Sequence, residues 1–431
     1  MRDEKRRLAE FEFIKSELDK SANFADFKNS PYYADAIYQR FSDKEYQRRF
    51  SLVRDFINRN NLDAMIVCGG PNTMSNGYGV GWLTNNTIEA RSISTYLIVT
   101  GNANDEPTLI YPMGGSHIEA IRRAVTVKDV RPSREGKYYQ VISERIKELK
   151  LEKGRIGISL VAPRSGDYLP VNQYNGLKKL LPDAEFVFLP DVFHEFWNVK
   201  SQEEIQAMRK AGEICDIAFQ TMKEYARPGV TEYELKAAAL YEIQRRDAES
   251  SFFILGSTPM SQPAQFFGNS RPSGRVLKDG DLILNEFSVQ VMGMQAQIGS
   301  PICVGRPTER VQKFWDEIAK PGFLYLENAL KPGLKLEELA NMGRWFRQHG
   351  CQSRPLILHG LAMQTESPLV SVDKIVAEPY ETSFRPGMTV MLEPNPITLE
   401  GDLGMFVGRS YVINENDHEA LTRTPIELFV T

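Results

Sequence analysis

Three residues stand out by type and position: Glu286, Glu393 and His359. Both glutamates interrupt apolar runs, Leu282-Ile283-Leu284-Asn285-Glu286-Phe287 and Val390-Met391-Leu392-Glu393-Pro394. An acid in such a run is costly to bury alone, so each either ends a strand or points at a partner. Two carboxylates brought close push one pKa upward, which suits proton transfer near neutral pH; the alternative is a salt-bridged or solvent-facing strand residue. His359 ends the apolar stretch Leu356-Ile357-Leu358 and precedes Gly360. That place fits catalysis or ligation, or a hydrogen-bonded core histidine. The chain has five histidines, and the other four, His117, His194, His349 and His418, stand in charged helix or loop settings that read as surface. Asn76-Gly77-Tyr78-Gly79-Val80-Gly81-Trp82 reads as a binding loop or as a packed turn, and Arg91 and Arg271 could each hold an anionic group bidentately. GxSxG, Walker, GxGxxG and HExxH patterns are all missing, which removes several common enzyme classes.

The elements that must carry these residues form a weak internal repeat. Pro228-Gly229 with Glu234-Leu235 recurs as Pro332-Gly333 with Glu338-Leu339, roughly a hundred positions later. Each copy opens a helix followed by a short apolar strand, Phe252–Leu255 in one and Leu356–Leu358 in the other. Lys278-Asp279-Gly280-Asp281 and Arg385-Pro386-Gly387-Met388 then turn the chain into a further strand, and six residues after each glycine stands Glu286 or Glu393. The near-equal spacing predicts two pseudo-symmetric halves closing on one core, with both glutamates near the axis. Ser201 and Glu204 form a capping box that starts the long helix entering this region. Upstream, strands at Ala64–Cys68, Ser94–Thr100, Thr108–Tyr111, Arg155–Leu160 and Phe186–Leu189 alternate with helices at 46–60 and 137–150, as in an α/β domain. The expected organisation is a helical arm over 1–42, an α/β domain over 43–197 and a duplicated α+β domain over 198–431.

The 431 residues carry 52 lysines and arginines against 56 aspartates and glutamates, a net charge of −4, which argues against nucleic acid as a partner. No apolar run approaches a membrane span, and the charged start MRDEKRRLAEFEF lacks a signal peptide's apolar stretch. Cys68, Cys215, Cys303 and Cys351 are scattered, as expected of reduced residues in a cytoplasmic protein.

Over roughly residues 43–431 the chain resembles the pita-bread family of creatinase, prolidase, Xaa-Pro aminopeptidase and methionine aminopeptidase. The resemblance is carried by Asn198-Val199-Lys200-Ser201 with Glu204 and Met208, Lys278-Asp279-Gly280-Asp281, Leu358-His359-Gly360, and Arg385-Pro386-Gly387-Met388 with Leu392-Glu393-Pro394. It implies an α/β N-terminal domain followed by an α+β pita-bread domain. Peptidases of the family hold two metal ions with Asp, Asp, His, Glu and Glu. Carried across one at a time, these fall on Glu286, Gln297, His359, Glu393 and Gly408, and the family's second histidine falls on Thr365. The resemblance thus implies a peptidase scaffold without its two-metal centre, although Glu286, His359 and Glu393 could hold one ion. Creatinase works without metal on a C–N bond, and its catalytic histidine would fall near Asn269. The expectation is a metal-independent hydrolase, with no cofactor, that cleaves a C–N bond of a small polar metabolite. His359, Glu393 and Glu286 would be catalytic, and Arg91, Tyr78, Trp82, Asn269, Arg271 and Gln297 would bind substrate. A lyase or isomerase on the same scaffold, or a non-catalytic binding protein, are the alternatives. The resemblance also implies a homodimer in which the Tyr78–Arg91 region completes the partner's site.

Overall fold

The computed structural model describes residues 38–69, 78–86, 94–160, 167–363, 365–376 and 381–431. The arm expected over 1–42 and the Arg91 assignment therefore lie wholly or almost wholly outside the described residues. In the first domain, helix α1 (Asp43–Arg59) leads to β1 (Ala64–Gly69), α2 (Tyr78–Thr84), β2 (Thr95–Thr100) and β3 (Thr108–Tyr111). Then follow α3 (Ser116–Ala124), β4 (Asp129–Pro132), α4 (Tyr138–Glu148), β5 (Arg155–Ile158), α5 (Val171–Leu180), β6 (Glu185–Phe188) and α6 (Phe193–Trp197). The six strands form one mixed sheet in the order β4-β3-β2-β1-β5-β6. Strand alternation splits β1 between two layers. Met65 and Val67 join the cluster that contains Val53, Phe56 and Ile57 of α1. Ala64, Ile66 and Cys68 pack with Val141, Ile142 and Ile146 of α4 and Leu177 of α5.

The second domain begins with α7 (Gln202–Tyr225), whose N-terminus carries the capping box expected of Ser201 and Glu204. Helix α8 (Glu232–Gln244) starts with a second box, Thr231 and Glu234. Strands β7 (Phe253–Pro259), β8 (Asp281–Val291), β9 (Met294–Gly299) and β10 (Ile302–Val304) complete the first half. The second half runs through α9 (Glu309–Phe314), α10 (Lys320–Glu327), α11 (Leu336–Met342), α12 (Trp345–Gln348), β11 (Cys351–Ser353), β12 (Leu358–Leu361), β13 (Thr365–Ser371), β14 (Lys374–Ile375) and β15 (Thr389–Leu392). It closes with β16 (Pro396–Thr398), β17 (Gly408–Ile413), β18 (His418–Ala420) and β19 (Phe429–Val430). An eleven-stranded sheet has β14-β13-β12-β15-β17-β9-β8-β10-β19 as its path, with β7 on β8 and β18 on β17.

The duplication is visible in the hydrogen bonds of the turns. Gly229 donates to the Leu277 carbonyl and Gly333 to that of Phe384, at 3.0 and 2.9 Å. Asp281 donates to Lys278 as Met388 donates to Arg385. Gly280 and Gly387 both have a φ of 85°, in the left-handed region where glycine is favoured. The outer face of the first half (Phe287, Val289, Ala296, Ile298) belongs to the same core as Met208, Ala211, Cys215 and Phe219 of α7. In the second half, Leu358, Val390, Leu392 and Tyr411 share a core with Phe323 and Leu326 of α10, Leu339 of α11 and Phe346 of α12.

The domains meet through a buried ion network. Arg49 of α1 bonds Glu45 at 2.8 Å and approaches Glu204 to 3.1 Å, and Trp82 of α2 donates its indole N–H to Glu204 at 2.7 Å. Trp82 stacks with Phe196 and packs edge-on against Trp197. Two expectations are corrected here. Tyr78 and Trp82 are core residues of α2 at the junction rather than parts of an open loop, with Tyr78 bonded to Asp191 and Trp82 to Glu204. His194 is buried rather than on the surface, because α6 tucks its charged-looking segment under the junction.

Candidate active site

The second domain's strands line up the chemistry in two transverse rows. Residues directly opposite each other in neighbouring antiparallel strands share a face of the sheet. His359 of β12 lies opposite Met391 of β15, and Met391 opposite Ser410 of β17. Ser410 clamps the backbone of Gln297 on β9, its hydroxyl accepting from the Gln297 N–H at 2.8 Å and donating to the Gln297 carbonyl at 2.9 Å. Gln297 in turn lies opposite Ser288 of β8. The second row is two residues along on the same face: Gly408 lies opposite Gly299, and the same registers continued by one residue bring in Glu393 and Glu286 at its two ends. The two glycines in the middle of that row make room for the Phe406 ring and, at Gly408, for the end of the Met391 side chain.

Glu286, His359 and Glu393 therefore converge, with one potential ligand atom of each lying within 4.8 Å of the others. All three are buried. His359 does not end its strand as expected. It is the second residue of β12, and a register shift between His359 and Gly360 lets the strand continue past it. A Cβ on Gly360 would come within 2.2 Å of the Ser367 carbonyl oxygen, so the irregularity needs glycine.

The imidazole has a defined polarity. Its Nδ1 is 2.8 Å from the Gly360 carbonyl, which can only accept, so Nδ1 carries a proton. Its Nε2 is then free to exchange a proton, and it faces the Glu393 carboxylate at 3.3 Å. The 3.3 Å contact places Nε2 and the Glu393 carboxylate where a proton can pass between them. A ring nitrogen held by a backbone carbonyl is equally the arrangement that orients a metal-binding histidine. The donor set of two carboxylates and one imidazole fits one divalent ion, the three residues that the sequence reading named for a single ion.

The remaining positions do not fit a second ion. Gln297 is neutral, and both ends of its carboxamide are buried without a hydrogen-bond partner. A Cβ on Gly408 would lie 2.3 Å from the Met391 Cε and 2.7 Å from the Phe406 ring, so the space for a fifth ligand is filled by apolar atoms. Two cations side by side need more anionic oxygen than these positions supply.

Of the other expected residues, Asn269 lies on an exposed loop, where its carbonyl accepts from Leu255 of β7 at 2.9 Å and its side chain from Gln265. Leu255 neighbours Ile254, the residue opposite Glu286, so this loop borders the site. Arg271 is exposed on the same loop. Sequence reasoning passed over Lys200, which lies in the quoted Asn198–Ser201 motif, and Glu366, the residue after Thr365. They form a fully buried pair at 3.1 Å that ties the start of α7 to β13, the neighbour of the His359 strand. Burial pushes the Glu366 carboxyl up to about 7 against the pull of Lys200.

Residues 206–415 match the model described as metallopeptidase family M24, and residues 49–196 match the creatinase/prolidase N-terminal domain. The Xaa-Pro dipeptidase of Pyrococcus horikoshii is 25% identical over 380 residues, 87% of this chain and 96% of that protein. The dimethylsulfoniopropionate lyase of Roseobacter denitrificans is 29% identical over 242 residues, 53% of each. Among solved structures, the X-Pro aminopeptidase of Thermotoga maritima superposes with a TM-score of 0.74 at 19% identity, covering 89% of this chain and 99% of that one.

Proposed function

The chain belongs to metallopeptidase family M24, and from that premise we propose that it is a hydrolase cleaving a C–N bond of a small polar substrate without the family's two-metal centre. The observation that carries this reading is the contrast within one sheet face. Glu286, His359 and Glu393 converge, while the two other ligand positions are a neutral Gln297 and a Gly408 packed over by Met391 and Phe406.

The couple supplies the proton traffic of hydrolysis. His359 Nε2, with Glu393 beside it, takes a proton from water as the water oxygen attacks the carbon of the C–N bond. That proton passes to the leaving nitrogen as the bond breaks. Holding Nδ1–H on the Gly360 carbonyl keeps the ring in the productive tautomer throughout. Glu286, at the other end of the glycine row from Glu393, faces the reacting group as a second carboxylate and favours substrates carrying a cationic or N–H-rich nitrogen. One divalent ion held by Glu286, His359 and Glu393 would add Lewis-acid activation at the same place.

The experiment pairs elemental analysis with turnover in ¹⁸O-water, scanning Xaa-Pro dipeptides against guanidino, amidine and cyclic amide compounds. A C–N substrate that gains the label, at no more than one ion per chain, supports the proposal. Two ions per chain with dipeptide turnover overturns it. The lyase relative favours a second reading, in which the same couple removes a proton and expels a leaving group with no attack by water. Product free of label would then identify a lyase. A homodimer belongs to the same proposal, and light scattering on the full chain tests it.

A further inference from the structure

Gln297 has no task in the couple just described, yet it is the most conspicuous polar group on the site's floor. Its side chain is fully buried, and both its amide nitrogen and its amide oxygen lack a hydrogen-bond partner. Leaving such a group unsatisfied forfeits its hydration, and buried amides in native proteins are rarely left so. The neighbouring strand does not relieve it, because Ser410 spends its hydroxyl on the Gln297 backbone. Nor does Ser288 opposite, whose hydroxyl pairs with that of Ser251 at 2.6 Å. The backbone is thus clamped and the carboxamide left idle. It stands in one row with His359, and strand alternation puts it on the same face as Glu286.

We propose that Gln297 is the specificity-determining residue of this site, reading an uncharged amide, urea or lactam group of the substrate through one acceptor and one donor. This rests on the reading of the site as one that works on a small C–N substrate. A carboxamide matches a group that itself offers a carbonyl and an N–H side by side, and the pairing satisfies both buried ends at once. A carboxylate here would instead add a third negative charge beside Glu286 and Glu393 and select cations. A site built to hydrogen-bond a polar group also rejects analogues that lack it.

The test titrates the full chain with 2-pyrrolidinone, N-methylacetamide and urea, and with acetate and methylammonium as charged counterparts, followed by calorimetry or ligand-observed NMR. Saturable binding of a neutral probe, weakened roughly tenfold in Gln297→Leu and replaced by a preference for methylammonium in Gln297→Glu, is the expected result. Absence of neutral-probe binding in the unmodified chain overturns the proposal, as does unchanged binding in Gln297→Leu or an unchanged preference in Gln297→Glu. His359→Ala separates this inference from the reading beneath it. If His359→Ala abolishes turnover while Gln297→Leu leaves KM unchanged, the hydrolase reading stands and the role of Gln297 falls. If probes bind through Gln297 and no C–N compound is turned over, the reverse holds.

Discussion

At the scale of single residues, the proposed chemistry depends on His359 having one ring nitrogen fixed by the Gly360 carbonyl and the other facing Glu393. His359→Ala should lower turnover by at least ~100-fold while leaving the circular dichroism spectrum unchanged; retained turnover would remove His359 from the mechanism. A second histidine makes a pH prediction. Burial, with Lys200 and Arg385 adding like charge, holds His194 down at about 4. The unfolded chain therefore takes up this proton first as pH falls. Stability is fully present above the ordinary histidine pKa and is lost progressively as pH falls toward 4, by about 3 kcal/mol at most. Urea unfolding at pH 7 and 4.5 should show this loss in the native chain and a smaller one in His194→Gln. His359 was legible as a candidate because so few histidines compete with it. His194 was misread because the charged residues around it, Asp191, Glu195 and Lys200, look like a surface in one dimension.

At the scale of elements, the helix starts and the strands of both domains follow from local rules, and the capping box of α7 is where the sequence puts it. The transverse rows do not follow from such rules. His359, Met391, Ser410, Gln297 and Ser288 belong to five strands, and only the register of four separate pairings makes them neighbours. The bulge after His359 is equally invisible to period-two alternation. Close packing over the rows can be tested with glycines. A Cβ on Gly299 would come within 2.4 Å of the Phe406 ring and 2.5 Å of the Asn285 carbonyl oxygen, whereas one on Gly274 would meet nothing within 4 Å. Gly299→Ala should destabilise the protein by about 1–3 kcal/mol, and Gly274→Ala should be near neutral. Thermal melts of the two variants side by side check this, and equal melting temperatures would contradict the packing described.

At the scale of the whole molecule, Arg49 ties the first domain to the start of α7, and its removal takes the buried one of two shared cations from Glu45 and Glu204, leaving only the more exposed Arg48. Breaking a buried pair from one side costs about 3–5 kcal/mol. Arg49→Met should therefore lower the main transition in calorimetry or split it into two, and pairing it with Glu204→Gln should restore part of the loss. A melt unchanged by Arg49→Met would mean the domains are held by their aromatic contacts alone. The duplicated domain has its own joint. Its halves share one continuous sheet, yet β9 and β17 are joined in the ladder by only two residue pairs, Gly408 with Gly299 and Arg409 with Ile298. The two carboxylates stand on opposite banks of that short seam, one contributed by each half. A shift of one half against the other would change the gap between Glu286 and Glu393, making the floor of the proposed site a strain gauge for the body that carries it.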